Sequence, residues 1–105
     1  MRITISHNRS KAEVMESVDR SFDELFEGAP GLPVRLTVKQ RSWQGSILSF
    51  SLTAKLGLLS TPISGTVEVT DHDVTVDADL GVFNRLVPEK TVRDVIGNRI
   101  KGLLK

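Results

Sequence analysis

The segment Gly65–Gly81, GTVEVTDHDVTVDADLG, concentrates the groups most able to do chemistry. It carries Glu68, Asp71, Asp73, Asp77 and Asp79, together with His72, one of two histidines in the chain. Asp77 and Asp79 are spaced i, i+2, which on a strand puts both carboxylates on one face. Such a pair could hold a hard cation or divide acid and base roles. A hard cation, however, takes more oxygen ligands than two carboxylates on an open sheet supply. An acid/base pair needs a cleft that separates the two pKa values. The sequence contains no DxDxDG loop and no HExxH helix. The alternation of the segment accounts for all five acids more simply. Glu68, Asp77 and Asp79 share the polar phase with Thr66, Thr70 and Thr75, and Asp71 and Asp73 flank a turn, where aspartate bonds the local backbone. His7 and His72 are far apart in sequence and both adjoin turns, so no histidine pair is expected.

Other chemistries lack their residues. There is no cysteine, which excludes thiol catalysis, thiolate metal sites and disulfides. The serines include no GxSxG elbow, and GLLSTPISG (57–65) matches neither GxGxxG nor GxxxxGK[ST]. Tyrosine is absent and the one tryptophan, Trp43, lies at an expected turn, so the sheet offers no stacking platform for RNA. With 14 basic and 13 acidic residues the net charge is +1, too balanced to point to nucleic acid. No catalytic residue, metal or cofactor is implied, and the expectation is a protein that is not an enzyme. No apolar run reaches the roughly 18 residues of a membrane span. MRITISHNRS lacks the apolar core of a secretory signal, so a cytoplasmic location is expected.

The elements that carry these residues follow from periodicity. The 105 residues form one domain, 1–105, long enough to bury roughly 60–70% of the unfolded surface around one core. Ile3 and Ile5 alternate with Arg2, Thr4 and Ser6 as a first strand. SKAE (10–13) fits a capping box, with Ser10 accepting from the Glu13 amide and Glu13 reaching back to the Ser10 amide. Val14, Met15, Val18, Phe22, Leu25 and Phe26 then form a helical stripe, giving a helix over about 11–27 with Gly28 and Pro30 as its stop. Strands follow at 34–39 (Val34, Leu36, Val38) and 48–56 (Leu48, Phe50, Leu52, Ala54, Leu56), with a turn at Trp43-Gln44-Gly45. The two parities conflict unless a bulge lies near Lys39–Ser42, which leaves the facing of Trp43 open. Ile63, Gly65, Val67 and Val69 form a fourth strand and Val74, Val76, Ala78 and Leu80 a fifth. A two-residue turn at Asp71-His72 pairs Val69 with Val74, Val67 with Val76 and Gly65 with Ala78. Pro88 suits a helix N1 position, and Val92, Val95, Ile96, Ile100, Leu103 and Leu104 give a second amphipathic helix.

The expected fold is α+β: a single antiparallel five-stranded sheet, order 1-5-4-3-2, with two helices on one face. The element order β-α-β-β-β-β-α is reduced helix-grip-like. A ferredoxin-like order fits less well, because that fold places its second helix before its last strand. The polar face then grades from acidic to basic, with Arg2 beside the acids of the fifth strand and Arg35 and Lys39 on the far edge.

Two regions could bind partners. Leu58 and Leu59, at the turn after the third strand, and Val82, Phe83, Leu86 and Val87, after the fifth, emerge at the same end of the sheet. They form an apolar rim bordered by Arg85 and Lys90. The rim either closes the core or is an association surface for a homodimer, a partner or a hydrophobic particle. The second region lies between the sheet and the C-terminal helix, where Phe22, Phe26, Phe50, Leu52 and Ile96 could either line a pocket for an apolar acyl or hydroxyacyl ligand or fill the space themselves.

Across nearly the whole chain, the pattern resembles the polyhydroxyalkanoic acid system proteins, also described as polyhydroxyalkanoate granule-region proteins. The resemblance rests on the first strand ending in His7, SKAEV opening the helix, WQGSILSF (43–50), Gly57, ISGTVEV (63–69), DVTVDADLG (73–81) and RIKGLLK (99–105). It implies a non-enzymatic accessory protein tied to storage granules, with the granule surface or granule proteins as partners and a cytoplasmic, granule-associated location. These motifs are structural, and the resemblance assigns no catalytic residue.

Overall fold

The computed structural model describes residues 1–26 and 34–104, with the backbone alone at Phe83 and Leu86. Gly28 and Pro30, the expected stop of the first helix, lie outside the described residues. In chain order the elements are β1 (Arg2–Ser6), α1 (Lys11–Phe26), β2 (Arg35–Gln44), β3 (Ile47–Leu56), β4 (Leu59–Val69), β5 (Asp73–Asp79), α2 (Phe83–Leu86) and α3 (Glu89–Leu103). One antiparallel sheet has the order β1-β5-β4-β3-β2, as the alternation implies. Consecutive strands joined by tight turns pair with their neighbours, and β1 closes the free edge of β5.

The apolar phase of the strands faces α1 and α3. Leu48, Phe50, Leu52, Ala54, Ile63, Val67, Val69, Val74, Val76 and Ala78 are all buried, as are Val14, Val18, Phe22, Leu25 and Phe26 of α1 and Val92, Ile96 and Ile100 of α3. Gly65 is fixed by packing. A Cβ there would collide with the Asp77 carbonyl and lie 2.9 Å from both the Ala78 Cα and the Phe50 ring. The missing side chain is what lets the tip of the Phe50 ring sit against Gly65 on the neighbouring strand.

Four local details depart from the periodicity. The Ser10 hydroxyl accepts from the Glu13 amide at 3.2 Å, as a cap should, but the Glu13 carboxylate accepts from the Ser10 hydroxyl at 2.9 Å and does not reach the Ser10 amide. Arg9 draws that carboxylate outward, at 3.5 Å. Pro88 is the N-cap of α3 and not N1; its ψ of 135° is extended, and Glu89 opens the helix. The segment ahead of α3, expected as loop, contains the short helix α2. Strand β2 runs to Gln44, so the turn lies at Gly45-Ser46 and not at Trp43-Gln44-Gly45. The bulge falls at Lys39, where the register skips between Val38 and Gln40. The extra residue reverses parity, so Leu36 and Val38 face α1 before it, and Arg41 and Trp43 face α1 after it.

That reversal builds a side-chain cluster on the sheet edge. The Trp43 indole donates to Asp19 Oδ1 at 2.9 Å, Arg41 donates to the Asp19 carbonyl at 2.8 Å, and the Arg41 guanidinium sits 5.5 Å above the Phe22 ring. Together they cover the flank of α1 where β2 has no further strand beside it.

Candidate functional site

The acidic segment is consumed by structure. Thr70 and Asp73 close the β4–β5 turn through the Thr70 amide and the Asp73 carbonyl at 2.9 Å. The Thr70 hydroxyl accepts from the His72 and Asp73 amides at 3.1 and 3.0 Å and donates to the Asp73 carboxylate at 3.0 Å. Asp79 accepts from the Gly81 amide at 3.0 Å. Asp77 stands directly across from Arg2 and Glu68 across from Thr75, on the open face. Arg2 and Asp77 share a register position, yet no ion pair within 4.0 Å forms between them. Among the described residues no group of three or more His, Asp or Glu side chains converges as a metal site would require.

The sheet order does bring the two histidines together, which their distance in sequence conceals. The His7 amide donates to the His72 carbonyl at 2.9 Å. The His7 ring is buried, with Nε2 2.9 Å from the Thr70 carbonyl and Nδ1 accepting from the Arg9 amide at 3.2 Å. An accepting Nδ1 fixes the proton on Nε2, so His7 is a neutral bridge that ties the β1–α1 connection to the β4–β5 turn. The His72 side chain is exposed.

The aromatic space beneath the helices is closed. Phe22, Phe26 and Phe50 pack on one another as tilted rings, with centroids 5.0 Å (Phe22–Phe26), 5.4 Å (Phe22–Phe50) and 5.1 Å (Phe26–Phe50) apart. The remaining cavity, lined by Phe26, Phe50, Leu52 and Ile96 among others, is about 20 Å³. That is room for about one water, in a dry apolar setting, and no acyl chain fits there. The five residues expected as a candidate pocket are core packing in this arrangement.

The opposite end of the sheet differs. The β3–β4 hairpin turns through Gly57-Leu58, with Gly57 at φ +61° and Leu58 not in the positive-φ region, the pattern of a II′ turn. The last β4–β5 pair is Ser64 with Asp79, so Leu59–Ile63 run past the end of β5. Five residues at about 3.3 Å each project the hairpin roughly 17 Å beyond that strand. Leu56 and Leu59, paired across the hairpin, continue the apolar stripe outward past its cover. Leu58 is fully exposed, while Leu56, Leu59 and Val82 are 37%, 45% and 50% exposed. Gly81 and Val82 line one open groove of about 380 Å³ with Thr61 and Pro62; of the expected rim residues only Val82 lines it.

Val87 is the exception among the rim residues. It is buried, because the chain turns inward between α2 and α3 to bring Pro88 to the helix start, so Val87 closes the core and is not part of the exposed surface. The side chains of Phe83 and Leu86 lie outside the described set. Asp19, Arg41 and Trp43 form a cluster that periodicity did not show; the parity conflict in β2 was its one signal.

Comparison with protein-family models, with characterised proteins and with solved structures finds no match for this chain.

Proposed function

We propose that this protein is a non-enzymatic accessory protein that docks onto an apolar particle through the projecting β3–β4 hairpin. The observation that carries this reading is the exposed run Leu56, Leu58 and Leu59 at the tip, with exposed Val82 lining a groove against Thr61 and Pro62 of the same hairpin. Scattered single apolar residues are ordinary on a protein surface; Ile47, at the other end of β3, is one. Three clustered on one projecting turn are not needed by the core, since the core is already closed by Val87 and the phenylalanine cluster. The resemblance of WQGSILSF, ISGTVEV and DVTVDADLG to the polyhydroxyalkanoic acid system proteins supplies the particle: a polyester storage granule. The acidic segment supports no reaction in this reading, because Thr70, Asp73 and Asp79 bond the local backbone and no three of its acids and histidines converge among the described residues.

The test is fractionation of tagged protein from a granule-forming bacterium. Wild type should travel with granules. A Leu58→Glu, Leu59→Glu variant, with folding checked by circular dichroism, should stay in the soluble fraction. Wild type found only in the soluble fraction would overturn the docking reading.

A further inference from the structure

The strand register places a second feature at the base of the same tip. Arg35 lies directly opposite Lys55 across the β2–β3 pair, both on the open face and both exposed. Like charges in directly opposed positions are unfavourable in water. Among the described residues neither has a carboxylate within ion-pair distance. On its other side Lys55 faces Ser60, which cannot offset the charge. Arg85, in α2 next to exposed Val82, adds a third exposed cation at this end. Of the acids on β4 and β5, Glu68, Asp71 and Asp73 lie toward the β4–β5 turn, while Asp77 and Asp79 sit in the other half of β5, Asp79 opposite Ser64 and so one residue short of the projecting Leu59–Ile63.

An apolar tip with a collar of cations matches one kind of surface in particular. Apolar side chains enter the acyl layer of an amphiphile film while cations stay at headgroup level. We infer that the hairpin recognises a negatively charged lipid surface, with Leu58 and Leu59 inserted and Arg35 and Lys55 against anionic headgroups. This inference rests on the docking role assigned to the same tip and adds the chemistry of the surface. It also gives the Arg35–Lys55 juxtaposition a reason, because an anionic film would remove the repulsion that water leaves in place. The attraction falls with salt, since the Debye length shrinks to about 8 Å at physiological ionic strength.

Vesicle co-sedimentation separates the two readings. The probes are phosphatidylcholine vesicles and vesicles of phosphatidylcholine mixed with phosphatidylglycerol. Wild type is compared with Arg35→Gln, Lys55→Gln and with Leu58→Ser, Leu59→Ser, each checked by circular dichroism. Wild type should prefer the mixed vesicles, and the Arg35→Gln, Lys55→Gln protein should bind them roughly 30-fold more weakly. The Leu58→Ser, Leu59→Ser protein should lose binding to both. Equal wild-type binding to neutral and mixed vesicles, unaltered in the Arg35→Gln, Lys55→Gln protein, would overturn the charge inference and leave apolar docking standing. No wild-type binding to either vesicle, with granule fractionation still positive, would overturn lipid recognition alone. Binding that survives Leu58→Ser, Leu59→Ser but not Arg35→Gln, Lys55→Gln would overturn insertion of the tip.

Discussion

The two ends of the sheet are built from the same device, a two-residue hairpin turn, and are finished in opposite ways. At the β4–β5 turn the backbone is tied in several directions. Thr70, His72 and Asp73 bond one another, and His7, its ring held by the Arg9 amide, reaches in from a distant part of the chain. At the β3–β4 turn, Gly57 and Leu58 make a reversal with no side-chain bond to hold it and with leucines facing water. The first end ties Thr70 and Asp73 into its own turn and leaves the His72 side chain exposed. The second leaves leucines exposed and the cations Arg35 and Lys55 without an ion-pair partner among the described residues. The difference is what the proposed docking role rests on: one end is cross-tied by hydrogen bonds and the other presents leucines to water.

The sharpest break in that contrast comes at the tied end. His7→Ala removes two hydrogen bonds from buried groups, and a loss of about 2–3 kcal/mol is expected in urea unfolding, with docking unchanged per folded molecule. A loss below about 0.5 kcal/mol would mean that the turn holds without its bridge. Next in size, Thr70→Val leaves the His72 and Asp73 amides without their shared acceptor. A decrease of about 1–2 kcal/mol should appear in the same measurement, since one hydroxyl serves three contacts. Asp19→Ala should cost about 1 kcal/mol, and the Trp43 fluorescence maximum should shift as the indole loses its acceptor.

The smallest expected effect on stability lies at the tip. Leu58→Glu should change the unfolding free energy by no more than about 0.5 kcal/mol, because the side chain is already in water. It should nonetheless decide whether the protein is found on granules. Amide hydrogen exchange sharpens the contrast without mutation. The amides of His7 and Asp73 should exchange near the global unfolding limit, and those of Leu58 and Leu59 through local opening, far faster. Equal protection at both ends would remove the distinction.

Much of this fold is legible in the sequence. Alternation in Leu48–Leu56, Ile63–Val69 and Val74–Leu80 set the core face and the pairing of Val69 with Val74, because a strand buried on one face tolerates no register slip. The conflict of parity between Leu36 and Leu48 demanded a bulge, and Lys39 provides it. The turn role of Asp71 and Asp73 was legible because the polar residues that favour turns do so through local bonds. Less was visible where distant segments meet. Nothing in the neighbourhood of His7 announces that its ring nitrogens meet the Thr70 carbonyl and the Arg9 amide, nor that Asp19 receives both Arg41 and Trp43.

The sequence by itself determined the element order, the apolar face of each strand, the tight hairpin at Asp71-His72 and the leucine pair at 58–59, since each depends on residues close together along the chain. Tertiary structure alone decided that Val87 is buried while Val82 is not, that the phenylalanine cluster fills the space a ligand would need, and that Arg35 stands against Lys55. Those outcomes depend on how far each strand runs past its neighbours and on how the helices close over them. Such quantities arise from packing between distant segments and are not written in any local pattern.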